Sequence, residues 1–221
     1  MSVMHRPSAP LLATSPAADR PAVGPQRLHH LAYVTCDTEA TADFYTRVLG
    51  LPLVNAILDG EVPSTGEKLP YFHSFFRLGS GETIAFFECP GTPPPAAKPH
   101  PAYRTFEHLA LEVPTRNDVE AWRTWLTANG LDVKSAEHGI IYSIYFFDPV
   151  NDIRLEITTT LEPDWNARTT AARAALEEWA ATKRAVHATG GDVLLALRTL
   201  AARRSRSAQA RDAQPTPAAT S

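Results

Sequence analysis

Cysteine is scarce in this chain, with Cys36 and Cys89 the only two among 221 residues. Two thiols are too few to build a disulfide framework, so a cytoplasmic protein in a reducing compartment is predicted. Long apolar runs are also missing, since no stretch approaches the roughly 18 residues that a membrane-spanning helix needs. The first residues lack the apolar core of a secretory signal peptide. No association with a membrane is therefore predicted.

An excess of charge of one sign is absent too. The chain has 21 Lys and Arg against 24 Asp and Glu, for a formal net charge of −3. A balance this close to neutral provides no strong field for nucleic acid or for an anionic membrane surface. We therefore expect neither partner. The length is enough for one domain of about 130–150 residues with extensions.

What the sequence does contain is a repeat. The tripeptide His-Leu-Ala occurs at His30 and again at His108, and each copy opens an alternating apolar strand. A predicted helix follows each copy and ends at a glycine: Gly50 comes 20 residues after His30, and Gly130 comes 22 residues after His108. Internal similarity at this scale is typical of a duplicated unit. The pattern predicts an α+β fold made of tandem βαβββ modules.

The predicted strands and segments follow from this duplication. Strands are predicted at 28–34, 51–56, 71–78 and 83–89, and again at 106–113, 131–133, 140–147 and 153–159. The predicted domains are a disordered tail 1–26, a domain 27–160 with modules 27–89 and 106–160 joined by the Pro-rich linker 90–105, a helical extension 161–204 and a disordered tail 205–221. The extension shows two amphipathic helices separated by Gly190-Gly191, with Asp192 as the cap of the second, which is predicted to end near Ala202.

The repeat resembles the vicinal oxygen chelate superfamily. The resemblance rests on His30-Leu31-Ala32-Tyr33-Val34, on Val48-Leu49-Gly50-Leu51, and on Phe147-Asp148-Pro149 before Leu155-Glu156. That superfamily includes glyoxalase I, methylmalonyl-CoA epimerase, fosfomycin and bleomycin resistance proteins, and type I extradiol ring-cleavage dioxygenases. The resemblance implies that the sheets of the two modules curl into one cup, with metal ligands from the first and last strands of each module. It does not choose a reaction, because function depends on the site.

Three metal ligands are predicted: His30, His108 and Glu156. The remaining slot, in the last strand of the first module, is occupied by Ala85, and Glu88 three residues later is expected to face the other side of its strand. Glu156 lies between two apolar residues, where a buried carboxylate without a partner would be costly unless a cation satisfied it. Three protein ligands leave coordination positions open for a substrate and dioxygen.

A His-His-Glu set is the ligand pattern of the extradiol dioxygenases. The resemblance therefore implies an Fe(II) enzyme that cleaves a small catecholic aromatic substrate with O2. Tyr145, four residues before Pro149, matches the tyrosine that hydrogen-bonds the substrate oxygen in those enzymes. His73 and His138 are both candidates for the acid-base histidine, because histidine has an unperturbed pKa near neutrality.

Two other interpretations stay open at this point. One is a lyase or isomerase like glyoxalase or the epimerase, with Ni, Co, Zn or Mn and with Glu88 or water as a further ligand. The other is a metal-independent protein that binds a planar drug and confers resistance. The resemblance also allows a homodimer, and two roles stay open for the C-terminal helices: they form the dimer or they cover the cup.

Overall fold

A computed structural model describes residues 21–212, with side chains described to residue 204. Of the two tails predicted to be disordered, 1–26 and 205–221, residues 1–20 and 213–221 lie outside the described residues, and residues 205–212 lie in a helix. The described part of the chain divides into two compact units. The first contains residues 21–107 together with Asp148–Ile153, and the second contains His108–Phe147 together with residues 154–212.

The first unit contains one open, mixed sheet. Its elements are β1 (His30–Val34), α1 (Thr38–Asp43, continued by a π turn Phe44–Val48), β2 (Leu53–Asp59), β3 (Tyr71–Arg77), β4 (Thr83–Glu88) and α2 (Pro101–Phe106). The strand order is β1-β4-β3-β2, in which β1 runs parallel to β4 and the other pairs are antiparallel. The Asp37 side chain caps α1 by accepting a hydrogen bond from the Ala40 N–H at 2.9 Å.

The second unit repeats this arrangement and adds two helices. Its elements are β5 (Leu109–Glu112), α3 (Arg116–Ala128), β6 (Lys134–Glu137), β7 (Ile141–Phe147), β8 (Arg154–Thr160), α4 (Thr169–Thr189) and α5 (Val193–Asp212). The strand order is β5-β8-β7-β6, again with a parallel first pair. A capping box between Thr115 and Asp118 begins α3. The predicted α+β fold with tandem βαβββ modules is confirmed.

One face of each sheet packs on the helix of its own module. The large buried apolar residues that pack between sheet and helix include Phe44, Tyr45, Val48, Leu49, Phe76, Ile84 and Phe86 in the first unit, and Val119, Leu126, Ile144, Phe146, Leu155 and Ile157 in the second. Successive strand residues point to opposite faces, so the core takes every second residue of the central strands. The residues between them, which include His73, Tyr145 and Glu156, lie on the other face.

Two predicted strands begin three residues later than expected. Phe106 ends α2 instead of opening a strand, because Pro101 at the first helical position and the His100 side chain, which accepts from the Ala102 N–H at 3.1 Å, start a short helix inside the predicted linker. The strand predicted at 131–133 lies at Lys134–Glu137. There the Leu131 N–H donates to the Leu126 carbonyl at 3.1 Å, so Leu131 belongs to the helix end.

The break between the two C-terminal helices lies where the sequence predicts it. Gly190 ends α4 in the left-handed conformation with φ of 68°, and Asp192 caps α5 by accepting from the Leu195 N–H at 3.1 Å. Helix α5 continues to Asp212 rather than ending near Ala202, because Ala and Arg are strong helix formers and nothing there breaks the pattern. Within residues 21–212, no helix combines the length and apolar character that crossing a membrane requires.

Candidate functional site

Equivalent residues of the two modules form equivalent pairs between the parallel strands of their sheets. In the first unit, Ala32 of β1 pairs with Ala85 of β4. In the second unit, Ala110 of β5 pairs with Glu156 of β8. Ala85 therefore occupies the position that Glu156 occupies in the second module, as the sequence comparison of the two modules predicted.

Glu156 is the buried acid of the second unit, with 2% of its surface exposed. Its Oε2 lies 2.8 Å from Nε2 of His108, and its Oε1 accepts a hydrogen bond from the Ser143 hydroxyl. Ser143 Oγ in turn lies 2.8 Å from Thr158 Oγ1. The sequence argument that this carboxylate has no protein partner is therefore wrong, because Ser143 of β7 and His108, directly before β5, contact its two oxygens. Two predicted ligands nevertheless meet here, with donor atoms facing each other.

Tyr145 is placed directly opposite Glu156 by the β7–β8 register. Its ring stands edge-on to the His108 ring with centroids 5.8 Å apart, and its hydroxyl is hydrogen-bonded to Nε2 of His138 at 3.0 Å. The Arg154 guanidinium covers the Tyr145 ring at 4.0 Å. Burial, and next the charge of Glu156, raise the pKa of Tyr145, so its hydroxyl is a proton donor at neutral pH.

The turn before β8 keeps this pairing although it is longer than its counterpart. Residues 148–153 connect Phe147 to Arg154, whereas the five residues 78–82 make the equivalent connection in the first module. Asp148 Oδ1 accepts from the Val150 and Asn151 N–H groups at 2.7 and 3.1 Å, and Asp152 takes a positive φ of 53°. Asp tolerates this conformation better than most residues, so the extra residue is absorbed within the turn.

His30 and His73 lie in the first unit, on the same face of its sheet. His30 is exposed and its ring lies 6.1 Å from that of Phe75. His73 is buried, with ring centroids 4.1 Å from Phe75 and 3.5 Å from Phe87, and its Nε2 has no hydrogen-bond partner among the described residues. Burial, and next the His30 imidazole, lower the pKa of His73. His73 is thus a neutral imidazole in an aromatic setting.

Four of the six predicted site residues form one cluster in the second unit: His108, His138, Tyr145 and Glu156. Over residues 21–204, His, Cys, Asp and Glu side chains form no group of three or more that could hold a metal ion. The closest donor pair of the predicted set is His108 with Glu156. Glu88 faces α1, where its Oε2 accepts from the Thr38 N–H at 2.7 Å. This orientation agrees with the expectation that Glu88 points away from the position of Ala85.

Sequence reasoning missed three members of the cluster: Arg154, Ser143 and Thr158. Strand alternation contained the signal, because Ser143 lies two residues before Tyr145, and Arg154 and Thr158 lie two residues on either side of Glu156. Residues spaced by two on a strand share a face. Extending the face of Tyr145 and Glu156 by two residues along each strand therefore finds all three residues.

Comparison with protein families gives a match that covers both modules. A family model described as the Glyoxalase/Bleomycin resistance protein/Dioxygenase superfamily matches residues 27–157. This span is more than half of the chain. It begins three residues before His30 and ends one residue after Glu156.

Individual relatives are more distant. A Bacillus subtilis (strain 168) protein provisionally named ring-cleaving dioxygenase MhqA is 27% identical over 99 residues, which are 43% of this chain and 28% of that longer protein. A glyoxylase/bleomycin resistance protein/dioxygenase domain from Frankia sp. EAN1pec has a TM-score of 0.50 at 17% identity, over 63% of this chain and 96% of that one. The fosfomycin resistance protein FosX of Listeria monocytogenes, solved with Mn(II) and sulfate, has a TM-score of 0.45 at 19% identity, over 62% of this chain and 96% of that one. The Frankia structure shows the shared fold.

Proposed function

Because the chain belongs to the Glyoxalase/Bleomycin resistance protein/Dioxygenase superfamily, we propose that it is an Fe(II)-dependent extradiol dioxygenase that cleaves a small catecholic ring with O2. The observation that carries the proposal is the grouping of His108, Glu156 and Tyr145 on one sheet face, while Ala85 replaces the carboxylate of the other module. A site with a single carboxylate leaves more of the metal's coordination sphere open than a site with two. The ring-cleaving name of the Bacillus relative points the same way.

The proposed metal ligands are His30, His108 and Glu156. Two imidazoles and one carboxylate are a donor set suited to a non-haem Fe(II) oxygenase, and the superfamily commonly binds divalent metals. Two donors about 2.1 Å from one cation and at right angles to each other lie about 3 Å apart. The 2.8 Å between His108 Nε2 and Glu156 Oε2 is close to that spacing. The third donor is assigned from the sequence repeat, in which His30 is the counterpart of His108.

Bound iron would supply a Lewis acid that favours loss of a catechol proton and a centre at which ring and O2 react. The protein residues divide the remaining work. Tyr145 keeps its proton at neutral pH and donates it as a hydrogen bond to a substrate oxygen on which negative charge grows. The Arg154 guanidinium over the same ring holds the phenol in place and adds positive charge beside an anionic substrate.

His138 is the proposed acid-base group, and His73 is the alternative. His138 Nε2 is hydrogen-bonded to the Tyr145 hydroxyl, so a group that can exchange a proton with the substrate lies beside the proposed hydrogen-bond donor. His73 lies in the first unit between Phe75 and Phe87, where burial favours its neutral form. We assign it to packing among the aromatic rings of the first unit's sheet.

Oxygen uptake tests the proposal. Protein reconstituted anaerobically with Fe(II) is mixed with a panel of catechols, and O2 consumption and the absorbance of the ring-opened product are followed together. We expect O2 and catechol to be consumed one for one, and we expect no activity after chelation or with Zn(II) in place of Fe(II). His108→Ala should lose stoichiometric iron, whereas His187→Ala on α4 is the matched control and should keep it.

Each alternative interpretation predicts a different result in the same assays. Turnover of a substrate without O2, sustained by Zn, Ni or Mn, would replace the dioxygenase with a lyase or isomerase. Tight binding of a planar ligand by metal-free protein, with no turnover under any condition, would indicate a sequestering protein. Full iron occupancy in His108→Ala would remove the proposed ligand set.

A further inference from the structure

The two cysteines stand at matching positions just beyond the parallel strand pair of the first unit. The β1–β4 ladder pairs His30 with Thr83 and continues without a shift to Val34 with Phe87. The Thr35 N–H donates to the Phe87 carbonyl at 2.9 Å, which extends the ladder past Val34. The ladder itself ends there, and the same offset continued by two further residues would bring Cys36 opposite Cys89.

The segments that follow β1 and β4 and carry these cysteines are joined by a hydrogen bond. Glu88, the residue before Cys89, accepts a hydrogen bond from the Thr38 N–H at 2.7 Å, two residues after Cys36. The second unit shows the same closeness at the equivalent place, where the Thr159 hydroxyl donates to the Pro114 carbonyl at 3.1 Å. Pro114 and Thr160 stand there in the positions of the two cysteines, so the thiol pair belongs to the first unit alone.

The spacing and the surroundings suit a bond between these thiols. Neighbouring strands lie about 4.8 Å apart, within the roughly 4.4–6.8 Å range of Cα separations that a disulfide bridges. Both cysteines are free and half-buried. Both line one cavity of about 620 Å³, together with Asp37, Tyr71 and Glu88. A small reagent that enters this cavity meets both thiols.

We propose that Cys36 and Cys89 form a dithiol site that a peroxide oxidises to an intramolecular disulfide. One thiolate attacks a peroxide oxygen, the O–O bond breaks, and a sulfenic acid forms with release of water. The second thiolate then attacks the sulfenic sulfur, the S–O bond breaks, and a second water leaves. The two thiols lose two electrons and two protons, and hydrogen peroxide is reduced to two molecules of water. A dithiol reductant reduces the disulfide back to two thiols and is itself oxidised.

The bond would tie the end of β1 to the end of β4 in the sheet that carries His30 and His73. It closes a loop of more than fifty residues, which restricts the unfolded chain, so the oxidised protein is expected to melt at a higher temperature than the reduced protein. This inference does not depend on the proposed catalytic function, because it concerns residues at the far end of β1 from His30.

The test uses the full chain, reduced and then treated with hydrogen peroxide. Thiols are titrated in denaturant, the intact mass is measured, and a reagent specific for sulfenic acid is present in a parallel sample. We expect titratable thiols to fall from two to none, with a monomer lighter by two hydrogen atoms and a cross-linked peptide joining Cys36 to Cys89. Dithiothreitol should restore both thiols, and trapped sulfenic acid should be minor.

Cys36→Ser and Cys89→Ser are the matched variants, and each retains a single thiol. Each should accumulate trapped sulfenic acid under the conditions in which the wild-type protein forms the disulfide. Cys36→Ala and Cys89→Ala repeat the comparison if a serine variant fails to fold by circular dichroism. Equal trapping of sulfenic acid in wild type and variants, or oxidation of the wild type only to disulfide-linked dimers, would overturn the proposal.

Discussion

At the scale of single residues, the orientation of Glu156 depends on a hydroxyl group on the neighbouring strand. Ser143 donates to Oε1 and is itself bonded to Thr158, so the other carboxylate oxygen is directed at His108. A buried acceptor that loses its donor keeps the full cost of desolvation. Ser143 is therefore a positioning residue for Glu156 and does not contact the substrate in the proposed mechanism.

Ser143→Ala is expected to weaken metal binding more than it changes the fold. Removing a hydrogen-bond partner of a metal ligand typically lowers metal affinity about 10–100-fold, and the loss of this buried bond should cost about 1–3 kcal/mol in unfolding free energy. Competition titration with a chelator measures the first effect and urea unfolding the second. Ser135→Ala, at an exposed position on β6, is the control. Equal metal affinity in the two variants would contradict the positioning role.

Tyr145→Phe separates catalysis from metal binding. The ring that contacts His108 and Arg154 remains, while the hydroxyl that reaches His138 is lost. Removing one donor to a developing oxyanion typically lowers kcat about 100-fold. We expect that loss with unchanged iron content and little change in KM. Tyr142→Phe is the control because its hydroxyl donates to Glu120 of α3, and a similar loss of kcat in that variant would refute the assignment.

At the scale of elements, the π turn after α1 is tied to the loop Asp148–Ile153 within the first unit. Tyr45 is fully buried against Phe76 and Phe86, and its hydroxyl donates to Asp148 Oδ2 at 3.3 Å. Asn151 adds a bond from its Nδ2 to the Thr41 hydroxyl at 3.2 Å. These bonds fix the loop that precedes β8, the strand that carries Glu156. Burial, and next the charge of Asp148, raise the pKa of Tyr45 well above its usual value.

This shift predicts a loss of stability in alkali. The folded protein favours the neutral phenol, so the contribution of Tyr45 is complete below about pH 10, the usual pKa of tyrosine, and is lost as the pH rises toward the folded value. Urea unfolding between pH 8 and 11 should show a steeper alkaline decline for the wild type than for Tyr45→Phe. At pH 8 the variant should be less stable by about 1 kcal/mol. Tyr103→Phe, at an exposed position, is the control, and identical slopes for wild type and Tyr45→Phe would reject the explanation.

At the scale of the whole molecule, the two modules share a fold and differ in chemistry. In the second module, Glu156 pairs with Tyr145, and Thr158 pairs with Ser143. At the same positions of the first module, Ala85 pairs with Phe75, and Phe87 pairs with His73. The second module therefore surrounds a charge with hydroxyl groups, and the first surrounds an alanine with aromatic rings. Duplication preserved the register, and substitution then separated the roles of the two faces.

Ala85→Glu tests this asymmetry. The new carboxylate would replace a fully buried methyl group and would find none of the hydroxyl partners that Glu156 has. Burying an unpaired carboxylate is costly, so we expect a loss of several kcal/mol in unfolding free energy that lessens as the acid is protonated at low pH. Ala32→Glu, its exposed register partner on β1, is the control. An Ala85→Glu protein as stable as that control would show that the first module tolerates a second acid.

The duplication, the α+β class, the Asp192 cap of α5 and the missing second carboxylate could all be predicted from the sequence alone. These features depend on local spacing: strand alternation, capping residues and a repeated tripeptide are visible along the chain. The helix in the predicted linker and the later start of β6 were not predicted, because competing caps shift the ends of helices and strands by a few residues. The four-residue cluster could be named from the sequence, although its internal contacts could not.

The partners of these side chains follow only from the folded chain. Ser143 contacts Glu156, His138 contacts Tyr145, and Cys36 and Cys89 line one cavity, none of which follows from chain order. Cross-strand neighbours are set by register and turn length, and a shift of one residue moves every side chain to the other face. The extra residue of the Asp148–Ile153 turn would have caused such a shift, and the positive φ of Asp152 absorbs it, so Tyr145 still faces Glu156.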